Sequence, residues 1–89
     1  MTKGEYRVGI NFNPSNEDVV GQIKRKAADL IDLIDTIPSR VADQHGGEAD
    51  DMRANERERL KALAQTHVED AAMWAVRAAT KPASEGSNT

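Results

Sequence analysis

The stretch NEDVVGQIKRKAADLIDLIDT, Asn16 to Thr36, decides how this 89-residue chain folds. Val20, Ile23, Ala27, Leu30, Ile31 and Ile34 recur at three- and four-residue steps, the period of one helix face. Val19, Leu33 and Ile37 widen that stripe towards a second face, and a helix apolar over so much of its girth needs more than one neighbour. Ser15 or Asn16 offers an N-cap, and Glu17 and Asp18 place negative charge where the helix dipole prefers it. Pro38 stops the helix. Asp29, Asp32 and Asp35 fall on the polar side and read as solubility charge.

Upstream, in YRVGINFNP, Tyr6, Val8, Ile10 and Phe12 alternate with Arg7, Gly9, Asn11 and Asn13. That period of two predicts an extended N-terminal arm with one apolar side, ended by Asn13-Pro14. Downstream, SRVADQHGGEADD is a connection with room for a short helical turn, closed by Gly46-Gly47. A second helix is expected from about Asp50 to Thr80, with Lys81-Pro82 beyond it. Acidic residues stand at its start and Arg77 at its end. Its first turns, MRANERER, are a solvated face with i,i+3 pairs such as Glu56 with Arg59. From Leu60 onward, Leu60, Ala64, His67, Ala71, Trp74 and Ala78 step by four and three as a short heptad seam. Residues 83–89 are a small, polar, mobile tail.

The fold class is therefore all-α. Residues 1–82 form one domain, an antiparallel hairpin of helices at about 16–36 and 50–80 with an extended N-terminal arm. Leu, Ile, Val and Phe supply only 16 of the 89 residues, below the level at which a small core sustains itself. Cysteine is absent, and His45 and His67 stand 22 residues apart without a metal-binding spacing, so neither disulfides nor a His pair supplies the missing stability. Self-association is the remaining source of burial, and the chain is expected to form a compact homo-oligomer.

Charge narrows the function. A net charge of −3 and a pI near 5.3 speak against binding polymeric nucleic acid, and no apolar run reaches a membrane span. No glycine-rich phosphate loop and no Ser/His/Asp arrangement can be argued, so no catalytic residue, metal ligand or cofactor is expected. In the hairpin, Lys24 lies about 12 Å inside the first helix and Trp74 about 9 Å from the end of the second. The two ends are neighbours, and the arm enters there. Tyr6, Phe12 and Trp74, the only aromatic residues, thus gather with Lys24, Arg25, Lys26 and Arg77 at one pole. Aromatic faces beside cations suit a small anionic nucleotide: a stacked base contributes about 1–3 kcal/mol, and a hydrogen bond to a charged group about 1.5–3 kcal/mol. Trp74 reads equally as core or as stacking platform, and Lys24 to Lys26 could be a solvated face.

The arm YRVGINFNPS, the helix IKRKAADLIDLI and the closing EDAAMWAVRAATKP resemble the small helical-hairpin sponges by which phages evade CBASS immunity. The resemblance covers roughly residues 6 to 82, and its most specific parts are IKxKAxxL and MWAVRAxxKP. Related hairpins occur in anti-Thoeris sponges, where a further domain follows, and the expectation here is the hairpin alone. The resemblance implies a compact homohexamer that captures cyclic oligonucleotides and holds them without cleavage, in the cytoplasm of an infected bacterial host. Cyclic dinucleotides would lie between paired protomers, and some members also hold cyclic trinucleotides on the threefold axis. By that resemblance Tyr6 is the arm aromatic, Lys24 or Lys26 meets the phosphates, and Arg77 matches a basic position. The place of Trp74 is not always Trp in the family. With Arg7, Asn11 and Phe12 from the arm, the candidate ligand contacts are Tyr6, Arg7, Asn11, Phe12, Lys24, Lys26, Trp74 and Arg77. The second reading is a non-catalytic hairpin adaptor for a protein partner.

Overall fold

The computed structural model describes residues 1–10, 18–40 and 47–82, and these contain three helices and no strand. α1 spans Lys3–Val8, α2 spans Val19–Asp35 and α3 spans Glu48–Thr80. Residues 11–17, which hold the end of the arm and the N-cap candidates Ser15 and Asn16, the connection over 41–46 and the tail 83–89 lie outside the described residues.

The arm, expected to be extended, is helical through Val8 and turns at Gly9. Thr2 and Glu5 form a capping box: the Glu5 amide donates to Thr2 Oγ1 at 3.0 Å and the Thr2 amide to Glu5 Oε1 at 2.8 Å. At the other end Gly9 takes the left-handed conformation, φ 74°, and its amide donates to the Glu5 carbonyl at 3.1 Å. These start and stop signals lie on either side of Tyr6, and they outweigh an alternation carried by few residues. So short a helix would not persist alone, and α1 exists because it is docked.

α2 starts later than expected. Its N-cap is Asp18, in place of Ser15 or Asn16, with the Asp18 carboxylate accepting from the Gly21 amide at 3.1 Å. Thr36 closes it, its hydroxyl donating to the Leu33 carbonyl at 2.6 Å. α3 begins at Glu48, two residues before Asp50, capped by Gly47 at φ 99° and with Glu48, Asp50 and Asp51 in its first turn. The expected Glu56–Arg59 pair is present at 2.6 Å.

α2 and α3 run antiparallel, with Ile31 level with Gln65 and Ser39 hydrogen-bonded to Glu58. Ala27, Ala28, Ile31, Ala54 and Ala72 are buried, and Ile31 is the single large side chain closed off from solvent among the described residues. The core is therefore thin and made chiefly of methyl groups, which lets the helices approach closely. The heptad seam meets α2 only at its start, where Leu60 and half-buried Ala64 line a cleft with Ile34. His67, Ala71, Trp74 and Ala78 are exposed. The face towards the hairpin carries Ala54, Gln65 and Ala72 instead, because small side chains fit a narrow gap and an indole does not. Trp74, 59% exposed, is no part of this hairpin's core.

The three aspartates of α2, expected to be solubility charge, are ligated. Asp32 accepts the amide of Gly4 at 2.7 Å, Asp35 accepts Lys3 at 2.9 Å, and Asp29 accepts Arg25 at 2.7 Å. Arg25 in turn donates to Glu5 at 2.8 Å. Gly4 is buried against the Ala28 backbone, where an added Cβ would fall far inside van der Waals contact of the Ala28 carbonyl. Gly4→Ala should therefore cost about 1–3 kcal/mol by overpacking, undocking α1 while the hairpin stays helical. Circular dichroism and the rate of tryptic cleavage after Lys3 and Arg7 check this.

Acid should act on the same contact. Arg25 holds the Glu5 carboxyl below its ordinary value, with the Thr2 amide assisting, and Lys3 does the same for Asp35 with help from Gln65. Lowered folded values mean that their contribution is complete above about pH 5 and is lost as pH falls through and below the usual carboxylate range near about 4. The amide resonance of Thr2, which donates to the Glu5 carboxylate, should shift with a midpoint below that range when followed by NMR.

Candidate ligand site

α1 lies along both hairpin helices. Lys3 sits at the level of Asp35 and Gln65, Arg7 at the level of Glu69, and the Gly9 carbonyl accepts Lys24 Nζ at 3.3 Å. Where α1 ends, a cavity of about 350 Å³ opens between the three helices. Arg7 and Val8 line it from α1 and Lys24 from α2. From α3 come Glu69, Asp70, Ala72, Met73, Val76 and Arg77.

Each cation of the cavity is held. Arg7 donates through Nε and Nη2 to Glu69 Oε1, at 2.8 and 2.6 Å, and through Nη2 to Thr66 Oγ1 at 3.3 Å. Lys24 rests on a neutral carbonyl and so keeps its charge for a ligand. The Arg77 guanidinium lies over the Trp74 ring, 5.2 Å from its centroid, a contact worth about 0.5–1 kcal/mol when exposed. Three cations against two carboxylates leave the cavity positive in a chain whose net charge is negative. Val8, Met73 and Val76 give it an apolar floor, the mixture that a base attached to a phosphate requires.

Of the residues singled out in the sequence, the structure brings Arg7, Lys24 and Arg77 to this cavity. Trp74 stands beside it through Arg77, as a wall that supports the guanidinium. Tyr6 is 77% exposed on α1 and does not line the cavity, and Lys26 is exposed on α2 away from it. Asn11 and Phe12 lie outside the described residues. Glu69, Asp70 and Met73 were not anticipated. Their signal was available: Met73 and Glu69 stand one and two turns before Arg77, on its own face. A second cleft, about 240 Å³, lies towards the other end between Ile34, Ile37, Leu60 and Ala64, with Arg57 and Lys61 at its rim. Lys61 is paired with Glu58, and Arg57 alone, resting on the Pro38 carbonyl, keeps its charge, so this cleft offers fewer cations to an anion than the first.

The Acb2/Tad1 hairpin domain matches residues 5–80 as a family model, from α1 to the end of α3. The chain belongs to the Acb2/Tad1 hairpin family. That match spans all the elements that build the cavity, and the family is the anti-CBASS and anti-Thoeris sponge family, known for sequestering cyclic oligonucleotides. Comparison with curated proteins and with solved structures returned no match. Among the described residues no helix is long and apolar enough to cross a membrane, and no His, Asp and Glu group is arranged to hold a metal ion.

The two lysines of α2 differ in position: Lys24 lines the cavity and Lys26 does not. Lys24→Ala should weaken nucleotide binding by about 1.5–3 kcal/mol, the worth of a hydrogen bond to a charged group, and flatten its salt dependence. Lys26→Ala should leave binding unchanged. Isothermal calorimetry at two salt concentrations, with melting temperature as control, separates the two.

Proposed function

We propose that this protein captures cyclic oligonucleotide second messengers, cyclic dinucleotides foremost, and withholds them from the host's CBASS-type effectors. The observation that carries this reading is the cavity in which Arg7, Lys24 and Arg77 converge from three helices above an apolar floor. Family membership supplies the ligand class. Capture proceeds without chemistry, as the sequestration known for the family implies. The action is then stoichiometric and works in the cytoplasm of an infected bacterium, where messenger and sponge meet at comparable concentration.

At about 350 Å³ the cavity lies near the lower bound for small-molecule sites. It suits one base with its phosphate better than a whole cyclic dinucleotide. A second protomer would complete it. The outward stripe of Leu60, Leu63 and Trp74 on α3, with Leu30 and Leu33 on α2, provides the apolar surface for that assembly. We assign to it a closed homo-oligomer, a hexamer by family resemblance. Cyclic trinucleotides at a separate, shared site fit the same architecture. The adaptor reading would use the same stripe for a foreign protein, but it leaves the three-cation cavity without a role.

One panel tests these statements. Cyclic di- and trinucleotides at 100 times their Kd should stabilise the protein by about 2.7 kcal/mol, while light scattering shows a species several times the mass of one chain. Ligand released by heat should be chromatographically intact. No stabilisation by any cyclic nucleotide would favour the adaptor, and linear products that depend on the protein would make it an enzyme.

A further inference from the structure

An anion-capturing cavity has an unexpected occupant in Glu69. Its Oε1 accepts both Nε and Nη2 of Arg7, at 2.8 and 2.6 Å. Those two N–H groups form the fork with which a guanidinium grips a phosphate. The fork is therefore closed by an internal carboxylate, and both side chains line the cavity wall. The pair is not sealed: the Arg7 side chain is 23% exposed and that of Glu69 43%. An ion pair so open to water is weak, and breaking it changes binding by about fivefold at most. A phosphate can displace Glu69, but it must then lie beside the displaced negative charge.

That cost falls unequally on different nucleotides. A nucleoside triphosphate concentrates more negative charge on one base than a cyclic dinucleotide distributes over two. The triphosphate meets greater repulsion and has half the stacking to offset it. Rejection of the wrong ligand by a like charge is a common source of specificity. We propose that Glu69 is the specificity-determining residue of this cavity, closing the Arg7 fork against nucleoside triphosphates and leaving it open to cyclic dinucleotides. The proposal rests on the capture of cyclic nucleotides argued above and adds what the site excludes. A sponge needs such exclusion, because a cavity that accepted ordinary nucleotides would be filled before any messenger arrived.

Asp70 provides the internal comparison. It lines the same cavity with the same charge, yet no described cation lies within ion-pair distance of it, and it closes no fork. Glu69→Gln keeps the shape and an oxygen for Arg7 while removing the charge. Asp70→Asn removes an equal charge without touching Arg7.

The experiment is calorimetric titration of the assembled wild-type protein and both variants with a cyclic dinucleotide and with metal-free ATP. In Glu69→Gln both ligands should bind more tightly, ATP by about fivefold and the cyclic dinucleotide by less than about twofold, so that the ratio of the two Kd values narrows about threefold. Asp70→Asn should narrow that ratio by less than about twofold. An unchanged or wider ratio in Glu69→Gln overturns the proposal, and so does an equal narrowing in Asp70→Asn, which would make the effect one of overall charge. A wild-type protein that takes no cyclic dinucleotide at all overturns the proposed function itself. One that takes it while Glu69→Gln keeps the wild-type ratio overturns the specificity alone.

Discussion

Gln65 is the point on which the three helices depend. Its side chain is almost wholly buried, and every polar atom on it has a partner. The amide donates to the Ile31 carbonyl at 3.1 Å and to Asp35 at 3.2 Å, and its oxygen accepts Lys3 Nζ at 3.0 Å. One residue thus ties α3 to the backbone of α2, to a carboxylate of α2 and to the first residue of α1. A buried amide left partly unpaired would cost stability, so this network permits few alternative registers. In a core made mainly of alanine methyl groups, where apolar packing distinguishes poorly between one helical offset and the next, a polar key of this kind fixes the alignment.

That alignment determines the candidate site. Once Lys3 is level with Gln65, a turn of helix places Arg7 beside Glu69 and brings the Gly9 carbonyl to Lys24. The cavity lies at the end of this ladder, and its cations come from three segments distant in sequence. The wall formed by α1 is attached mainly by charge and by one close glycine contact, with little apolar burial behind it. The site is therefore built by electrostatics on a scaffold with little hydrophobic reserve.

The hairpin itself was legible because helix periodicity in α2 is strong and its stop at Pro38 is unambiguous. The glutamate and arginine pairs of early α3 were legible for the same reason, since i,i+3 neighbours meet on any helix. In the arm two local signals compete. The alternation from Tyr6 to Phe12 argued for extension, whereas Thr2, Glu5 and Gly9 spelled the start and stop of a short helix. Caps prevailed because α2 supplied Asp32 and Asp35 as docking partners, and those contacts are long-range.

The sequence by itself determined the helical class, the two long elements, the poverty of the core and the likeness to sponge hairpins, all of which follow from local spacing and composition. It also placed Lys24 and Arg77 near one end, because rise per residue converts directly into distance. Which face of α3 meets α2 was decided only by tertiary structure. The heptad through Leu60 and Trp74 is the more apolar face, but the alanine face with Gln65 fits the closer approach and satisfies the buried amide. The same holds for Glu69: its charge is visible in the sequence, but its hold on Arg7, 62 residues away, exists only once three helices share one groove.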